Sequence, residues 1–411
     1  MKKFMKFLTA SVAAAGLLFA AVLGTADYFT PDSYTVEEGG SLSWFSGALS
    51  IVRQGGAEIS ASAGAPQYPR SYDAQLMLYD KVPLKTVQIN VVDQTCVVLC
   101  GMPFGIRMFT DGVVVVGLAD IKTGTGSVNP ALEAGLKVGD VITAIDGKSV
   151  DKNTDVQQAV EHCSGAAMKF TVRRDGTSFT VPVHPARSEA DGLYKAGLWV
   201  RDSTAGIGTL TYYDPTTNCF AGLGHGICDS DTGQLMPLLS GDIVPVTING
   251  ITKGRKGAPG ELRGYFSDET AIGTLSANVP SGIFGELARP AQGPVLKAAM
   301  KQEIKPGAVK ILTTLHGGKP QYYDAEIEKI DYRDSVQSKN MVLRITDEDL
   351  LAQTGGIVQG MSGSPIVQNG KLVGAVTHVF VNDPTCGYGI FAENMLEESR
   401  ALGASAKRKA S

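Results

Sequence analysis

The sequence GMSGSPIV at residues 360–367 is the stretch of this chain that decides its fold class. Small residues stand on both sides of Ser362, so the backbone can turn tightly there and direct several N–H groups into one concavity. The dipeptide Asn369-Gly370 follows between apolar residues, and this pair is a strong signal for a β-hairpin. Such a turn can present a serine hydroxyl as a nucleophile, and Ser362 and Ser364 are the two candidates.

A nucleophilic serine needs an oxyanion hole and a general base. The backbone N–H groups of Gly360 and Ser362 can form the oxyanion hole, in which each donor contributes roughly 3–4 kcal/mol. The chain has five histidines, and His225 is flanked by glycines that leave its imidazole uncrowded, so we favour it as the base. His162 and His184 are predicted at the surface and His316 in a turn. His378 follows the hairpin strand after Ser362, where we favour a structural role over the alternative that it lines a cleft.

The third member of such a site is an acid that orients the imidazole and stabilises its protonated form. We favour Asp347, which ends an apolar strand, precedes Ser362 and gives the chain order His, Asp, Ser. The same aspartate could instead cap a short helix, because further acidic residues follow it before Leu350. The sequence offers three other acids: Asp229, Asp242 and Asp268.

The C-terminal half, residues 188–402, consists mostly of short apolar runs separated by turn residues. Glycine supplies 49 of the 411 residues, against a usual share of roughly 7%, and the excess falls at these turns. Helical character is confined to the end of this region, at Ala392–Leu402. Many short strands without long intervening helices indicate a β-barrel or a β-sandwich.

A different pattern fills residues 96–187. The run AGLKVGDVITAIDG at residues 134–147 predicts a helix end, a turn, a strand and a second turn, and Asp175-Gly176 predicts a hairpin. This run resembles the hallmark A-G-L-x-x-G-D-x-I-x-x-I-(N/D)-G of bacterial PDZ domains. Six upstream residues stand where that family places the loop whose N–H groups receive the end of a peptide: Gly101, Met102, Pro103, Phe104, Gly105 and Ile106.

The first 26 residues have the character of a targeting segment. Three lysines precede an uncharged stretch from Phe7 to Ala26, which at about 1.5 Å per residue can cross a bilayer core of roughly 30 Å. Small residues at its end also suit a signal-cleavage site, so a retained anchor and a cleaved signal both stay open. In either case the lysines predict that the remainder is exported. Two further segments complete the predicted organisation: a mixed region with a linker at residues 27–95 and a polar tail at residues 403–411.

Composition and charge exclude several classes of protein. The formal net charge is −4 and no dense basic run precedes the last five residues, so nucleic acid is not an expected partner. With 43% apolar residues, the chain has enough material for cores, which excludes wholesale disorder. No Cys-x-x-Cys or paired Cys/His spacing occurs among the six cysteines, so we expect no metal and no cofactor. We expect two small buried thiols at Cys219 and Cys228 rather than a disulfide beside His225.

The serine turn resembles the G-D-S-G-G-P-(L/I)-V loop of chymotrypsin-like serine peptidases. Ser362 stands at the position of that family's serine and Ser364 at a position where the family usually has glycine, so the resemblance implies Ser362 as the nucleophile and Ser364 as the weaker alternative. With the N-terminal segment, the PDZ-like region and the Gly-His-Gly at residues 224–226, the turn resembles the stage IV sporulation protein B (SpoIVB) peptidases. The runs TGGIVQGMSGSP at residues 354–365 and VGAVTHVFVNDP at residues 373–384 are similar to signatures of that family. The resemblance implies a mainly β chain, in which a PDZ domain of the α+β class precedes a chymotrypsin-like double β-barrel peptidase domain. It also implies a catalytic triad, consisting of Ser362, His225 and Asp347.

The same resemblance implies a function in signalling. A serine endopeptidase of this family is secreted from the forespore into the space between the two forespore membranes. It cleaves itself near the N-terminus and cleaves a membrane-bound regulator. That second cut releases an intramembrane protease, which activates a mother-cell sigma factor. The implied partners are therefore a protein substrate and the chain's own N-terminal region, with the membrane reached through residues 1–26.

Two other functions stay open at the level of sequence. The chain could be a PDZ-bearing envelope scaffold or chaperone whose peptidase fold is inactive. The presence of both Ser362 and His225 between glycines argues against that reading, since an inactive copy need keep neither. It could also be a general protease of envelope quality control, which would share the chemistry and differ in its substrates.

Overall fold

The computed structural model describes residues 24, 30–37, 43–44, 49–53, 71–316 and 318–410. The predicted anchor or signal from Phe7 to Ala26 lies outside these residues, except for Gly24. Within the described ranges, no helix is both long enough and apolar enough to cross a membrane. Strands dominate the described chain, so the predicted mainly β class is confirmed.

Five strands near the N-terminus form a separate sheet in the region predicted as mixed. They are β1 (Ser33–Glu37), β2 (Ser43–Trp44), β3 (Leu49–Arg53), β4 (Ser71–Leu78) and β5 (Val82–Val92). Their order is β1-β5-β4-β3-β2, with β1 parallel to β5 and the other pairs antiparallel. The carboxylate of Asp334 accepts hydrogen bonds from the backbone N–H groups of Asp32 and Ser33, which ties this sheet to the C-terminal half.

The next elements include those of the predicted PDZ domain. They are β6 (Cys96–Leu99), β7 (Pro103–Leu118), β8 (Ile121–Thr123), β9 (Gly126–Val128), α1 (Pro130–Glu133), β10 (Val141–Ile145), β11 (Lys148–Ser149), α2 (Asn153–Glu161), β12 (Met168–Arg174), β13 (Thr177–Val183), β14 (Ala186–Arg187) and β15 (Tyr194–Lys195). Helix α1 begins where it does because Asn129 caps it and Pro130 occupies its first turn. The hairpin between β12 and β13 turns at Asp175 and Gly176, both at positive φ, as the sequence predicts.

Six strands close the first barrel of the peptidase region. The new elements here are β16 (Leu198–Asp214), β17 (Cys219–Gly222), β18 (Leu238–Thr252), β19 (Glu261–Phe266), β20 (Gly273–Val279) and β21 (Gly282–Leu287). Antiparallel pairing runs around the ring β16-β7-β18-β20-β21-β17 and back to β16. Phe104, Phe220 and Ile243 are fully buried inside this ring.

A second ring of six strands follows. Its region contains β22 (Val295–Ala298), a 3-10 turn (Lys301–Glu303), β23 (Gly307–Thr313), β24 (Gln321–Ile330), β25 (Met341–Ile345), α3 (Glu348–Thr354), β26 (Pro365–Gln368), β27 (Lys371–Phe380), β28 (Asp383–Phe391) and α4 (Ala392–Ala410). The ring is β23-β24-β25-β28-β27-β26, again antiparallel throughout. Ile311, Leu343 and Ile366 are fully buried in its core. Helix α4 continues through most of the residues predicted as a polar tail.

The PDZ unit and the first barrel share the two long strands β7 and β16. Near Phe109 and Ser203 these strands pair with each other inside the first barrel, whereas Val115 and Val200 pair within the PDZ unit. Residues 96–110, predicted as the start of the PDZ region, therefore pair with strands of the peptidase barrel. The PDZ unit projects from the end of a β-hairpin of the peptidase.

Candidate active site

The turn that carries Ser362 connects α3 to β26 and is held by the first barrel. Gly360 and Gly363 have φ angles of +96° and +93°, which side-chain-bearing residues avoid. A Cβ atom on Gly363 would lie 2.0 Å from the carbonyl oxygen of Thr209. Thr209 donates its N–H to the Ser362 carbonyl at 2.9 Å and its hydroxyl to the Gly360 carbonyl at 2.8 Å. The position of the serine turn is thus fixed by contact between the two barrels.

The two serines of this turn have different surroundings. Ser362 is half-buried, and its Oγ donates to the carbonyl oxygen of Thr377 at 2.7 Å. Ser364 is fully buried, and its Oγ donates to the hydroxyl of Thr313 at 3.0 Å. A substrate can reach only a hydroxyl with some exposure. This difference supports the preference for Ser362 as the nucleophile.

Two backbone N–H groups in the turn lack acceptors. Within the part of the chain that the structure describes, those of Gly360 and Ser362 donate to no protein group, whereas those of Met361, Gly363 and Ser364 donate to carbonyls. Free amides beside a serine hydroxyl are what an oxyanion hole requires. The assignment of Gly360 and Ser362 to that hole stays a prediction, and this geometry supports it.

A sharp turn after β17 brings His225 close to β27, the strand whose Thr377 accepts the Ser362 hydroxyl. Leu223 and Gly224 both have positive φ, +64° and +68°, and a Cβ atom on Gly224 would lie 3.0 Å from Cγ2 of Thr377. The turn can therefore pack closely on β27, the strand to which the Ser362 hydroxyl is bound. The side chain of Asn278 holds the other end, because it accepts from the N–H of Ile227 at 2.7 Å and donates to the Ile227 carbonyl at 2.9 Å.

The tautomer of His225 follows from its one hydrogen bond. Its Nδ1 lies 2.9 Å from the carbonyl oxygen of Gly226, and a carbonyl can only accept, so Nδ1 carries the proton. Nε2 then keeps a lone pair, which is the state that a general base needs. Burial lowers the pKa of His225, and the hydrogen bond to Gly226 opposes this effect.

His378 lies beside His225, in the cleft position that the sequence analysis ranked below a structural one. The centroids of the two imidazole rings are 4.7 Å apart and the ring planes are inclined by 36°. Burial is the main cause that lowers the pKa of His378 to about 4, and the positive charges of His225 and Lys339 add to it. A sequence signal was available, since His378 directly follows the hairpin strand after the serine turn, but it does not distinguish a site residue from a structural one.

In this structure Asp347 makes no hydrogen bond to His225, so its predicted role as the third catalytic residue stays a prediction that this conformation does not support. Asp347 is the N-cap of α3, and its Oδ1 accepts from the N–H of Leu350 at 2.9 Å. Its Oδ2 accepts from the N–H of Asp324 at 3.1 Å. Oδ1 thus has the capping role that the sequence left open, and Oδ2 is occupied by a backbone donor of β24.

The other acidic candidates are also engaged elsewhere. Asp229 is buried and pairs with Arg201, Asp242 pairs with Arg107, and Asp268 accepts from the N–H of Thr270. Among the residues that the structure describes, no carboxylate hydrogen bonds to His225. The group that orients the base is therefore the backbone carbonyl of Gly226 in this conformation.

The predicted peptide-end loop of the PDZ region is wrong. Its six residues, Gly101 to Ile106, lead into and form the beginning of β7, where Phe104 pairs with Gly208 on one side and with Pro245 on the other. Both edges of that strand are occupied, so it cannot add a peptide strand. A Cβ atom on Gly105 would lie 2.4 Å from the ring of Phe266, so packing in the barrel explains the glycine.

The remaining predicted chemistry groups lie apart from this site. His162, His184 and His316 are exposed. All six cysteines are free thiols; Cys219 is buried as predicted, whereas the predicted burial of Cys228 is wrong, because this residue is exposed. In the described ranges we find no cluster of three His, Cys, Asp or Glu side chains that could hold a metal ion.

Comparison with protein families agrees with this geometry. A family model described as SpoIVB peptidase S55 matches residues 192–396. This range includes strands β16 to β28 and the turns of His225 and Ser362. A PDZ domain model matches residues 102–184. This chain belongs to the SpoIVB peptidase S55 family. The predictions of a PDZ domain and of a serine peptidase are thereby confirmed at the level of the family.

Curated relatives match shorter stretches of this S55 family member. The serine protease Do-like HtrA of Lactococcus lactis subsp. lactis IL1403 is 40% identical over 83 residues, 20% of this chain and 19% of that protein. The putative zinc metalloprotease LL2128 of the same strain is 27% identical over 177 residues, 43% of this chain and 37% of that protein. The chain thus spans well under half the length of these relatives.

Solved structures give weak overall likenesses. The active form of the Rv3671c protease from M. tuberculosis is 16% identical, with a TM-score of 0.30, over 48% of this chain and 74% of that one. The PDZ domain of an SdrC-like protein from Listeria monocytogenes is 21% identical, with a TM-score of 0.18, over 22% of this chain and 87% of that one.

Proposed function

We propose that this chain is a serine endopeptidase in which Ser362 is the nucleophile and His225 is the general base. One observation carries the proposal: a half-buried serine hydroxyl stands beside two free amides, on a turn bound to the strand that the His225 turn also contacts. The serine serves as the nucleophile, the two amides as the oxyanion hole and the histidine as the base. Acyl transfer to a serine requires all three functions.

The reaction proceeds by two acyl transfers. Ser362 Oγ gives its proton to Nε2 of His225 and forms a bond to the carbonyl carbon of the scissile peptide. The electron pair of the carbonyl π bond moves to the carbonyl oxygen, which accepts hydrogen bonds from the N–H groups of Gly360 and Ser362. His225 then returns its proton to the leaving amine. A water molecule repeats the same steps to release the acyl group from Ser362.

The resting site needs one rearrangement before this reaction. The Ser362 hydroxyl donates to Thr377 and not to His225, so it must rotate away from Thr377 before Nε2 can take the proton. Such a rotation between staggered positions is a local motion of an unbranched side chain. Hydrogen bonds of a catalytic site often become short only when the substrate is bound.

We further propose that the substrate is protein and that the enzyme acts after export. The uncharged stretch from Phe7 to Ala26 behind three lysines supports export, with residues 1–26 as anchor or cleaved signal. Membership of the SpoIVB family supports self-cleavage in the N-terminal region and cleavage of a membrane-bound regulator of an intramembrane protease. In this role the enzyme triggers activation of a mother-cell sigma factor from the space between the forespore membranes.

The test combines a covalent probe with mass spectrometry of the purified full chain. A fluorophosphonate should label the wild type at one residue, Ser362, and should not label Ser362→Ala. The wild type should yield N-terminal cleavage products that the variant lacks. A wild type without labelling or cleavage would identify an inactive scaffold. Digestion of bulk unfolded protein at a rate similar to that of self-cleavage would instead identify a general envelope protease.

A further inference from the structure

The hairpin of β18 and β19 leaves the first barrel and reaches the second. Its strands pair with each other from Val246 and Phe266 to Thr252 and Glu261, beyond the part of β18 that pairs within the first barrel. We call residues 253–260, which connect the two strands, the hairpin tip. The hairpin therefore carries its tip away from the barrel that it comes from.

Backbone hydrogen bonds fix the tip beside the serine turn. Gln359 directly precedes Gly360, one of the two residues with a free amide. The N–H of Gln359 donates to the Gly260 carbonyl and its carbonyl accepts from Leu262, both at 2.8 Å. Two further bonds of 2.8 Å hold the tip to segments before and after the site: Gly254 N–H to the Thr354 carbonyl and Gly257 N–H to the Val381 carbonyl. The tip therefore has a defined position relative to the serine turn.

This end of the hairpin is strongly basic. Residues 253–263 contain four cationic side chains and one acid, in a chain whose formal net charge is −4. Lys253 has a structural partner, because its ammonium donates to the carbonyl of Ala352 at 2.9 Å, in the last turn of α3. The other three cations are exposed: Arg255, Lys256 and Arg263. Among the described residues, no carboxylate lies within 4 Å of their charged nitrogens, so their charges are available to a ligand.

A scissile peptide has to come close to this hairpin. Its carbonyl must reach the amides of Gly360 and Ser362, and the hairpin is bonded to the residue next to Gly360. Charges at the rim of such a site attract segments of opposite sign, repel those of the same sign and act strongly on the rate of association. Three cations without partners therefore favour acidic residues near the cut.

We propose that Arg255, Lys256 and Arg263 form a specificity surface of the peptidase, which binds acidic side chains of an extended segment of the protein substrate. This inference rests on the proposed function. A peptide is favoured over a lipid headgroup because the tip is fixed beside the serine turn, which only a substrate has to reach. The three cations take no part in the acyl transfers themselves.

The chain itself contains a segment of the required charge. Between Phe7 and Val52 it has four acids and no lysine or arginine: Asp27, Asp32, Glu37 and Glu38. This stretch belongs to the N-terminal region in which the proposed function places self-cleavage. In the described conformation Asp32 pairs with Lys85 at 2.7 Å, so the segment is tested as a separate peptide.

The test measures binding of a fluorescent peptide with the sequence of residues 27–40 to the full-length Ser362→Ala chain. The matched peptide has Asn or Gln in place of the four acids. We expect the acidic peptide to bind about five- to twentyfold more tightly, which is the effect of two or three exposed ion pairs. The difference should shrink to less than about twofold when added salt shortens the Debye length to about 4 Å.

Variants of the hairpin decide which residues cause this preference. Arg255→Gln with Lys256→Gln should remove most of it, and Arg255→Glu with Lys256→Glu should make the chain prefer the amide peptide. The control removes two exposed lysines of the PDZ unit, Lys148→Gln with Lys169→Gln, and should keep the full preference. Circular dichroism checks that all variants are folded. An acidic preference that survives in the glutamate variant, or that the Ser362→Ala chain lacks, would overturn the proposal.

Binding to Ser362→Ala needs no reaction, so the two proposals fail separately. A wild type that fluorophosphonate never labels would refute the proposed function, and the peptide titration would still decide the role of the hairpin. In an active wild type, the glutamine variant should keep fluorophosphonate labelling within about twofold, because the small probe has no acidic segment. A large loss of labelling in that variant would show that the hairpin supports the site itself, and would overturn its role in specificity.

Discussion

The Ser362 hydroxyl donates a hydrogen bond to the carbonyl oxygen of Thr377 at 2.7 Å, and His225 reaches the same strand through the close approach of Gly224 to the Thr377 side chain. One residue of β27 thus contacts the turns of both proposed catalytic side chains. Because those turns come from different barrels, the site exists only when the two barrels are packed together. Its activity should therefore report the integrity of the whole peptidase fold.

Ser364→Ala should keep the activity and lose stability. The Ser364 hydroxyl is fully buried and bonds to Thr313, so its removal leaves the Thr313 hydroxyl without that partner. The expected loss is about 1–3 kcal/mol in the free energy of unfolding, measured by urea denaturation, with fluorophosphonate labelling within about threefold of wild type. Ser362→Ala is the matched variant, with lost labelling and near-normal stability. Lost labelling in Ser364→Ala together with retained labelling in Ser362→Ala would make Ser364 the nucleophile.

The pH profile of labelling should extend to unusually low pH. A general base acts when it is deprotonated, and burial lowers the pKa of His225. The half-maximal rate should therefore lie below the ordinary histidine pKa of about 6.5. Labelling rates from pH 4.5 to 8 measure this point, with unfolding followed in parallel. A midpoint above 7 in the folded enzyme would contradict the burial of the base.

Stability should also depend on His378 at acid pH. Its folded pKa is about 4, below the value of about 6.5 in an unfolded chain, so the unfolded state binds more protons between these values. Its contribution to stability is present above pH 6.5 and is lost as the pH falls towards 4. In the Ser362→Ala background, adding His378→Phe should reduce the drop in unfolding free energy between pH 7 and pH 5. Equal drops would show that His378 titrates normally.

Asp347 should matter for stability and not for catalysis. Its carboxylate caps α3, so Asp347→Ala should cost about 1 kcal/mol, whereas Asp347→Asn, a good N-cap residue, should cost little. Both variants should retain fluorophosphonate labelling within a few fold. If Asp347→Asn folds as well as the wild type but labels a hundredfold more slowly, the aspartate has a catalytic part that this conformation does not display.

These outcomes reflect what short stretches of sequence can and cannot specify. The turn at Ser362 and the hairpin at Asn369 depend on local backbone conformations that glycine and asparagine favour, so the sequence predicts them correctly. The spacing between Asp347 and Ser362 carries no such constraint, and the nearest backbone N–H groups bind the carboxylate instead.

Pairing between strands that are far apart in the chain also limits what the sequence can predict. Gly105 looks like part of a peptide-binding loop, but its strand pairs with residues about a hundred positions later in the chain. The glycine is required because Phe266 and Val244 pack against it. The sequence analysis favoured a structural position for His378 over a cleft position for a similar reason, since only the closed barrel brings it to His225. No local pattern in the sequence records either contact.

The last prediction uses the hairpin that joins the PDZ unit to the peptidase. Phe109 and Ser203 are paired across β7 and β16. Replacing residues 110–202 by Asn-Gly should therefore join them through a two-residue turn and leave the barrel ring intact. The shortened chain should fold, and fluorophosphonate should label Ser362 at a rate within about threefold of wild type, while the position or timing of self-cleavage changes.

The control for that variant is a deletion of residues 101–187, the span that the sequence analysis gave to the PDZ domain. It removes Phe104, Ile106 and Met108 from the core of the first barrel along with the strand that both β16 and β18 require. It should therefore lose the fold and the labelling together. If the Asn-Gly variant also loses the fold and the labelling, the PDZ unit supports the peptidase site directly. If its self-cleavage is unchanged in position and rate, the unit has no part in presenting the N-terminal region.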